Sequence, residues 1–196
     1  MKFRILGTEI TVTFFFGAAV TLFLFLDRTG LALPTLGAVL LHETGHLFAM
    51  WMLDCPPTYI RLIPSSVQIG KKITCSYQTD LLVTLMGPGV NLLCFAVFYA
   101  NGKLYSSPKM IVFALIHLLF GLFNLLPVKG LDGGTVLYVL LARKNPQKAE
   151  RILFFSALFL GAVFLFLAVF FTLRHKCNPS FYALSLYFLL GNLVKM

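Results

Sequence analysis

The stretch His42-Glu43-Thr44-Gly45-His46 lies in the middle of an apolar run from residue 32 to residue 53. A run of this length can cross a bilayer as a helix, since about 20 apolar residues span the hydrocarbon core. The chain has only four His and three Glu, and this stretch holds two of the His and one of the Glu. Ionisable groups at membrane depth are costly and mark functional sites. The stretch is therefore the first candidate site.

The composition of the whole chain is that of an integral membrane protein. Of the 196 residues, 59% are hydrophobic and 12% are charged, against about 45–50% and about 25% in soluble domains. We therefore predict an all-α polytopic membrane protein with about six transmembrane helices. The predicted spans are residues 9–27, 32–53, 81–100, 110–128, 149–173 and 180–195, and the apolar segment 133–143 is too short to cross and continues the fourth span after a break.

The positive charges indicate how the spans are oriented. Eleven of the 16 Lys and Arg fall at the two termini and in the loops 54–80 and 129–151, on one side of the predicted spans. The positive-inside rule makes that side cytoplasmic, with both termini there. The net charge of +9 does not indicate nucleic-acid binding, because no basic stripe with interleaved aromatic residues stands outside the spans.

The loop between the second and third spans has the pattern of a β-hairpin. Within residues 59–77, the stretch 67–77 alternates in character around Gly70-Lys71-Lys72, which predicts a β-hairpin with its turn there. Residues 3–13 are rich in β-branched side chains and could add an edge strand. A sheet at the membrane face could receive an extended peptide by strand addition. An ordinary amphipathic loop is the alternative.

The four cysteines show no Cys-x-x-Cys spacing, so neither a zinc ribbon nor a redox motif is indicated. Cys94 lies in an apolar run and is expected to be a packing residue. The other three, Cys55, Cys75 and Cys177, are expected to be free thiols.

The spacing of the two histidines predicts a metal site. Residues i and i+4 lie on one face of a helix, so His42 and His46 could reach one ion. The pattern H-E-x-x-H on a helix is one in which two imidazoles bind zinc and the Glu is a general base. Gly45 removes a side chain beside the site and lets a neighbouring helix or the substrate approach closely. The alternative is a polar contact between helices without a metal.

A catalytic zinc needs a third protein ligand, and Asp132 is the main candidate. The other three Asp lie at predicted span ends, whereas Asp132 follows the helix-breaking Pro127 and is surrounded by Gly130, Gly133 and Gly134. The predicted topology puts Asp132 in the same cytoplasmic half as the two histidines. His117 is the competing ligand. It lies nearer the other end of its span, and we interpret it as a helix-packing residue.

These motifs resemble the site-2 protease family of intramembrane zinc metalloproteases. The resemblance is carried by residues 42–46, by Gly87-Pro88-Gly89-Val90-Asn91, and by Asn124-Leu125-Leu126-Pro127 leading to Leu131-Asp132-Gly133-Gly134. It covers roughly residues 5–145 and is closest to the subgroup of sporulation proteases that process a pro-sigma factor. Many relatives have Pro before Leu-Asp-Gly, where this chain has Gly130.

The resemblance implies zinc ligation by His42, His46 and Asp132, with Glu43 as general base. It also implies that Asn91 and Asn124 hold the substrate backbone or polarise the scissile carbonyl. The alternative for each Asn is a hydrogen bond to unwound backbone.

The predicted protein is a single membrane domain, with a catalytic core at about 30–145 and accessory spans at 146–196. It would cleave a peptide bond within or beside a transmembrane or membrane-associated segment of a protein substrate, such as a sigma or anti-sigma factor. Expected partners are that substrate, the lipid bilayer and a regulatory membrane protein, and the expected location is a bacterial cell membrane. The alternatives are a catalytically inactive escort protein for membrane proteins and a small metal transporter.

Overall fold

A computed structural model describes residues 1–5, 7–64, 66–71, 75–174 and 179–193. Its four strands form one mixed sheet in the order β1-β2-β3-β4. β1 and β2 are antiparallel, β2 and β3 are parallel, and β3 and β4 form an antiparallel hairpin. The strands are β1 (Lys2–Ile5), β2 (Thr8–Val12), β3 (Pro57–Ile63) and β4 (Ser66–Lys71).

The predicted hairpin is confirmed, but its predicted turn is wrong. The chain reverses between Ile63 and Ser66, which face each other in the register. Gly70 lies within β4 opposite Tyr59, and a Cβ at Gly70 would collide with the Tyr59 ring. This glycine therefore makes room for an aromatic ring across the strand pair instead of forming a turn. Lys72, the last residue of the predicted turn, lies outside the described residues.

The described residues form seven helices. Side chains cap three of them at the N-terminus: Thr13 accepts from Phe16 N, Ser76 from Thr79 N and Asn145 from Lys148 N. Such caps satisfy backbone donors that a helix leaves open. The helices are α1 (Phe14–Leu26), α2 (Ala32–Met52), α3 (Tyr77–Leu104), α4 (Pro108–Asn124), α5 (Asp132–Ala142), α6 (Pro146–Leu173) and α7 (Pro179–Leu193).

The helices overlap the predicted spans with shifts at their ends, but residues 9–12 of the first predicted span belong to β2, and α1 begins only at Phe14. Two of them, α3 and α6, are long and apolar enough to cross a membrane, by length and composition. Shorter apolar helices occupy Phe14–Leu26, Pro108–Asn124, Asp132–Ala142 and Ser180–Leu189. The end of the last predicted span, residues 194–195, lies outside the described residues. The mostly helical fold with a small sheet is confirmed, and six spans remain a prediction.

The connection from α1 to α2 is organised by one carboxylate. Asp27 accepts hydrogen bonds from the backbone N–H groups of Thr29, Gly30 and Ala32 and from the Thr29 hydroxyl, at 2.7–3.1 Å. These bonds, the one from the Thr29 hydroxyl first, lower the pKa of Asp27 from 3.8 to about 2. The ionised side chain therefore closes this turn and accepts a hydrogen bond from the first backbone N–H of α2.

The chain divides into two compact units, Met1–Phe123 and Asn124–Met196. In the first unit, α2 packs against α3 through Ala49, Met50 and Val83. In the second, α6 packs against α5 and α7, and the buried Gly161 brings α6 within contact of Leu189. Small residues at helix contacts are typical of helix packing in membranes.

A disulfide between Cys55 and Cys75 corrects the prediction of free thiols at these positions. Their Cα atoms lie 6.0 Å apart across 20 residues of sequence, a usual separation for the bond. The hairpin β3–β4 lies between them and returns the chain to its starting point. The bond therefore closes the loop between α2 and α3. Among the described residues Cys94 is a free cysteine, and Cys177 lies outside the described residues.

Candidate metal centre

The two histidines of α2 point their outer nitrogens at each other. The Nε2 atoms of His42 and His46 are 3.2 Å apart, and both side chains are buried. Two nitrogen ligands of one tetrahedral zinc, each at about 2.0–2.1 Å from the ion, lie roughly 3.3–3.4 Å apart. The pair therefore fits two positions of a zinc site with almost no movement.

His46 is held in the tautomer that a metal ligand needs. Its Nδ1–H donates to the Val83 carbonyl at 2.8 Å, so its Nε2 carries a lone pair. A backbone carbonyl that orients a histidine from its far nitrogen is the usual outer partner of a metal-binding imidazole. Val83 belongs to α3, so the packing of α2 on α3 sets the orientation of this ring.

His42 is contacted from its other side by Asn91 of α3. Asn91 Nδ2 lies 3.2 Å from His42 Nδ1, and Asn91 Oδ1 lies 3.0 Å from Nδ1 of His117 on α4. Asn91 and His117 are completely buried. The structure thus places Asn91 against a candidate metal ligand. Its implied role in holding substrate remains a prediction.

Two glycines let α2 and α3 approach closely at this site. A Cβ at Gly45 would lie 2.8 Å from the Met86 carbonyl oxygen and 2.9 Å from Val90 Cγ2. A Cβ at Gly87 would lie 2.9 Å from His42 Nε2 and even closer to His46 Nε2. Contacts below 3.0 Å are essentially never seen for real Cβ atoms. The close approach predicted for Gly45 is confirmed, and Gly87 leaves open the space beside the Nε2 atoms of His42 and His46.

Asp132 is the first residue of α5 and follows a tightly folded loop. In that loop Val128 N donates to the Leu126 carbonyl and Leu131 N to the Val128 carbonyl, at 2.8 and 3.1 Å. Gly130 has a φ of 97°, a left-handed conformation that Gly adopts readily. The loop therefore separates α4 from α5, and α5 begins with an acidic side chain in its first turn.

The other two glycines near Asp132 allow close packing and do not adopt an unusual backbone conformation. Gly133 and Gly134 are helical and buried, and a Cβ on either would collide with the backbone of the preceding loop. They provide room for residues 125–129 to fold back on the first turn of α5. The Ser156 hydroxyl of α6 donates to the Pro127 carbonyl and fixes the loop further.

The remaining predicted site residues lie on α2 and α4. Glu43 is half-buried on α2, next to His42, and Asn124 is half-buried as the last residue of α4. His117 is buried between the rings of Phe98 and Phe113, as a packing histidine would be, but it also contacts Asn91. Sequence reasoning missed that contact.

Comparison with known proteins identifies the class of fold. A solved site-2 protease from Methanocaldococcus jannaschii superposes with a TM-score of 0.69, covering 99% of this chain and 94% of that chain, at 21% identity. The fold is therefore that of a site-2 protease.

Sequence comparison agrees with the fold. Residues 105–168 match peptidase family M50, a range that includes Asn124 and Asp132. A zinc metalloprotease from the same organism is 29% identical over 114 residues, which are 55% of this chain and 33% of that protein. The chain thus spans about a third of the length of this relative. These findings confirm the predicted resemblance to the site-2 protease family: residues 105–168 match peptidase family M50, and the fold is that of a site-2 protease.

Proposed function

We propose that this protein is an intramembrane zinc metalloendopeptidase. It would cleave a peptide bond within or beside a transmembrane or membrane-associated segment of a protein substrate. The observation that carries the proposal is the pair of buried Nε2 atoms 3.2 Å apart on one helix, with Glu43 between the two histidines in sequence. Burying two ionisable side chains in an apolar helix costs free energy, and residues of this kind in membrane segments mark functional sites.

The proposed zinc ligands are His42, His46 and Asp132. Two imidazoles and a carboxylate are a common ligand set of catalytic zinc, and they leave a fourth position open. Zinc bound there would act as a Lewis acid and make hydroxide available near neutral pH. The fixed His46 tautomer and the space left by Gly87 support this set.

Glu43 is the proposed general base. It would take a proton from the attacking water while the water oxygen bonds to the scissile carbonyl carbon. It would then deliver that proton to the amine nitrogen as the carbon–nitrogen bond breaks. Its half-buried position beside His42 would limit its contact with bulk water.

The substrate is proposed to approach as an extended strand along the sheet. β1 and β4 are the edges of that sheet, and the unpaired backbone groups of an edge strand accept a further strand. A membrane-tethered sigma or anti-sigma factor is the proposed substrate class, and a membrane protein is the proposed regulator.

The proposed topology has six spans, with the termini and the active site toward the cytoplasm. The loop charges support it. The Cys55–Cys75 disulfide is evidence against this orientation, because it lies in a loop assigned to the cytoplasm, where disulfides are rare. Labelling of Cys55 and Cys75 by a membrane-impermeant thiol reagent, in intact and in opened cells after reduction, decides the orientation.

An inactive escort protein is the second candidate. It would need the fold and the substrate surface but not Glu43. The presence of Glu43 together with His42 and His46 favours an enzyme. A metal transporter would require polar groups along a whole path, and the outer halves of the predicted spans are almost wholly apolar.

Replacement of Glu43 by Gln tests the proposal. We expect Glu43→Gln to bind zinc like the wild type and to cleave a single-span model protein in liposomes about 10²–10⁴-fold more slowly, because general base catalysis is lost. Glu150→Gln, on the exposed start of α6, is the matched control and should be fully active. Equal cleavage by Glu43→Gln and wild type would refute the mechanism. No cleavage by any form, with zinc bound, would favour the escort protein.

A further inference from the structure

A row of buried polar side chains runs from α2 through α3 to α4. It consists of His42, Asn91 and His117, joined by contacts of 3.2 and 3.0 Å. Asn91 and His117 have no exposed surface, and His42 has 2%. The three residues are 49 and 26 positions apart in sequence, so the row exists only because the three helices pack together.

The hydrogen bonds in this row have a direction. With the Asn91 amide as placed, His117 Nδ1–H donates to Asn91 Oδ1, and Asn91 Nδ2–H donates to His42 Nδ1. His42 must then carry its proton on Nε2, from which it donates to His46 Nε2 at 3.2 Å. This arrangement is self-consistent as far as His46, whose other nitrogen donates to the Val83 carbonyl.

Metal binding at His42 Nε2 is incompatible with that direction. A ligating Nε2 must offer a lone pair, so the proton of the neutral ring moves to Nδ1. That N–H requires an acceptor, which Asn91 provides if its amide turns by half a revolution. The amide N–H then faces His117, which must accept on Nδ1 and carry its own proton on Nε2. Each ring keeps one proton throughout.

The surroundings of His117 indicate that its polar contact matters in addition to its packing. Its ring packs against Phe98 and Phe113, which any aromatic residue could do. Among the described residues, its Nε2 has no hydrogen-bond partner although it is buried. A polar atom left unsatisfied in this way is unfavourable, and Phe at this position would avoid it. The contact of Nδ1 with Asn91 is the feature that Phe cannot reproduce.

We propose that His117 is a positioning residue of the metal site and fixes, through Asn91, the tautomer and ring orientation of His42. The inference rests on the proposed function insofar as His42 binds the zinc. Zinc binding reverses the direction of the hydrogen bonds along the row. His117 therefore changes tautomer, although it is connected to the ligand His42 only through Asn91. Replacing the outer hydrogen-bond partner of a ligating histidine typically weakens metal affinity by about 10–100-fold. For a residue one step further out we expect the lower end of that range.

The first test measures zinc affinity of the full chain in detergent by competition with a chromogenic chelator. We expect His117→Phe to weaken zinc binding about tenfold. His117→Asn keeps a polar atom near the place of Nδ1 and should restore affinity to within about threefold of wild type. Phe98→Leu loosens the packing around the ring without changing the polar row, and it should also stay within about threefold. Unchanged affinity in a folded His117→Phe would overturn the proposal, as would equal losses in all three variants.

The second test measures the tautomer of His117 directly in the wild-type protein. In protein with ¹⁵N-labelled histidine, the protonated nitrogen of His117 should be Nδ1 without zinc and Nε2 with zinc, with the signals assigned from His117→Asn. The same tautomer in both states would overturn the proposal, even if His117→Phe fails to fold. His42→Ala separates this inference from the proposed function. If His42→Ala keeps full zinc affinity, the metal site itself is wrong. If it loses affinity while His117→Phe does not, only the role of His117 is wrong.

Discussion

Gly87→Ala adds one methyl group at the point where α3 faces the Nε2 atoms of His42 and His46. The added Cβ would lie 2.9 Å from His42 Nε2 and closer still to His46 Nε2. Optimal separation of non-bonded heavy atoms is about 3.5–4.0 Å, so the methyl must retreat by at least about 0.6 Å from His42. The His46 ring cannot swing away without weakening the bond from its Nδ1 to the Val83 carbonyl.

The size of the effect follows from the cost of overpacking. Inserting a methyl into a well-packed site typically costs about 1–3 kcal/mol. If the two rings absorb the strain, this cost appears as zinc binding weakened by a factor of about 5 to about 150. If the helices separate instead, it appears as a lower free energy of unfolding.

The assay compares Gly87→Ala with Gly89→Ala in zinc affinity, thermal unfolding midpoint and cleavage of a model substrate. Gly89 lies two residues away in the same helix, and a Cβ there would meet nothing within 4 Å. Gly89→Ala should therefore be neutral or slightly stabilising, since Ala is the better helix former. Equal zinc affinity and equal stability of the two variants would refute the geometry of the site.

Two further predictions concern other parts of the first unit. Gly45→Ala should lower the free energy of unfolding by about 1–3 kcal/mol, because its Cβ would lie 2.8 Å from the Met86 carbonyl oxygen. Gly37→Ala, whose Cβ would be 3.9 Å from Phe113, is its control in chemical denaturation and should differ little from wild type. Asp27→Asn should lower the thermal midpoint at pH 7, where wild-type Asp27 is ionised. Folding lowers the pKa of Asp27 from 3.8 to about 2. The difference in thermal midpoint between wild type and Asp27→Asn should therefore disappear as the pH falls from about 4 to below about 2. A gap independent of pH would contradict the role of the carboxylate.

Features confined to one helix or one hairpin could be predicted from the sequence. The spacing of His42 and His46 fixes their common face on any helix, so the pair was predictable once residues 32–53 were recognised as helical. The hairpin followed from alternation. Its turn did not, because Gly70 suits a turn and an aromatic contact equally well, and only the register with Tyr59 distinguishes them.

Features that require contacts between residues distant in sequence were not predictable. The Cys55–Cys75 bond requires the hairpin to bring together residues 20 positions apart. The contact of Asn91 with His117 requires the packing of α3 and α4. Its only signal in the sequence was a second histidine in an apolar span, for which packing was the simpler interpretation.

X-ray absorption at the zinc edge of the zinc-loaded protein tests the proposed metal centre most directly. Nitrogen and oxygen ligands lie about 2.0–2.2 Å from zinc, and cysteine sulfur about 2.3 Å. The proposed ligands His42, His46 and Asp132 predict two imidazoles with oxygen ligands and no sulfur, and one imidazole fewer in His42→Ala. A sulfur shell, or a spectrum unchanged by His42→Ala, would contradict the site.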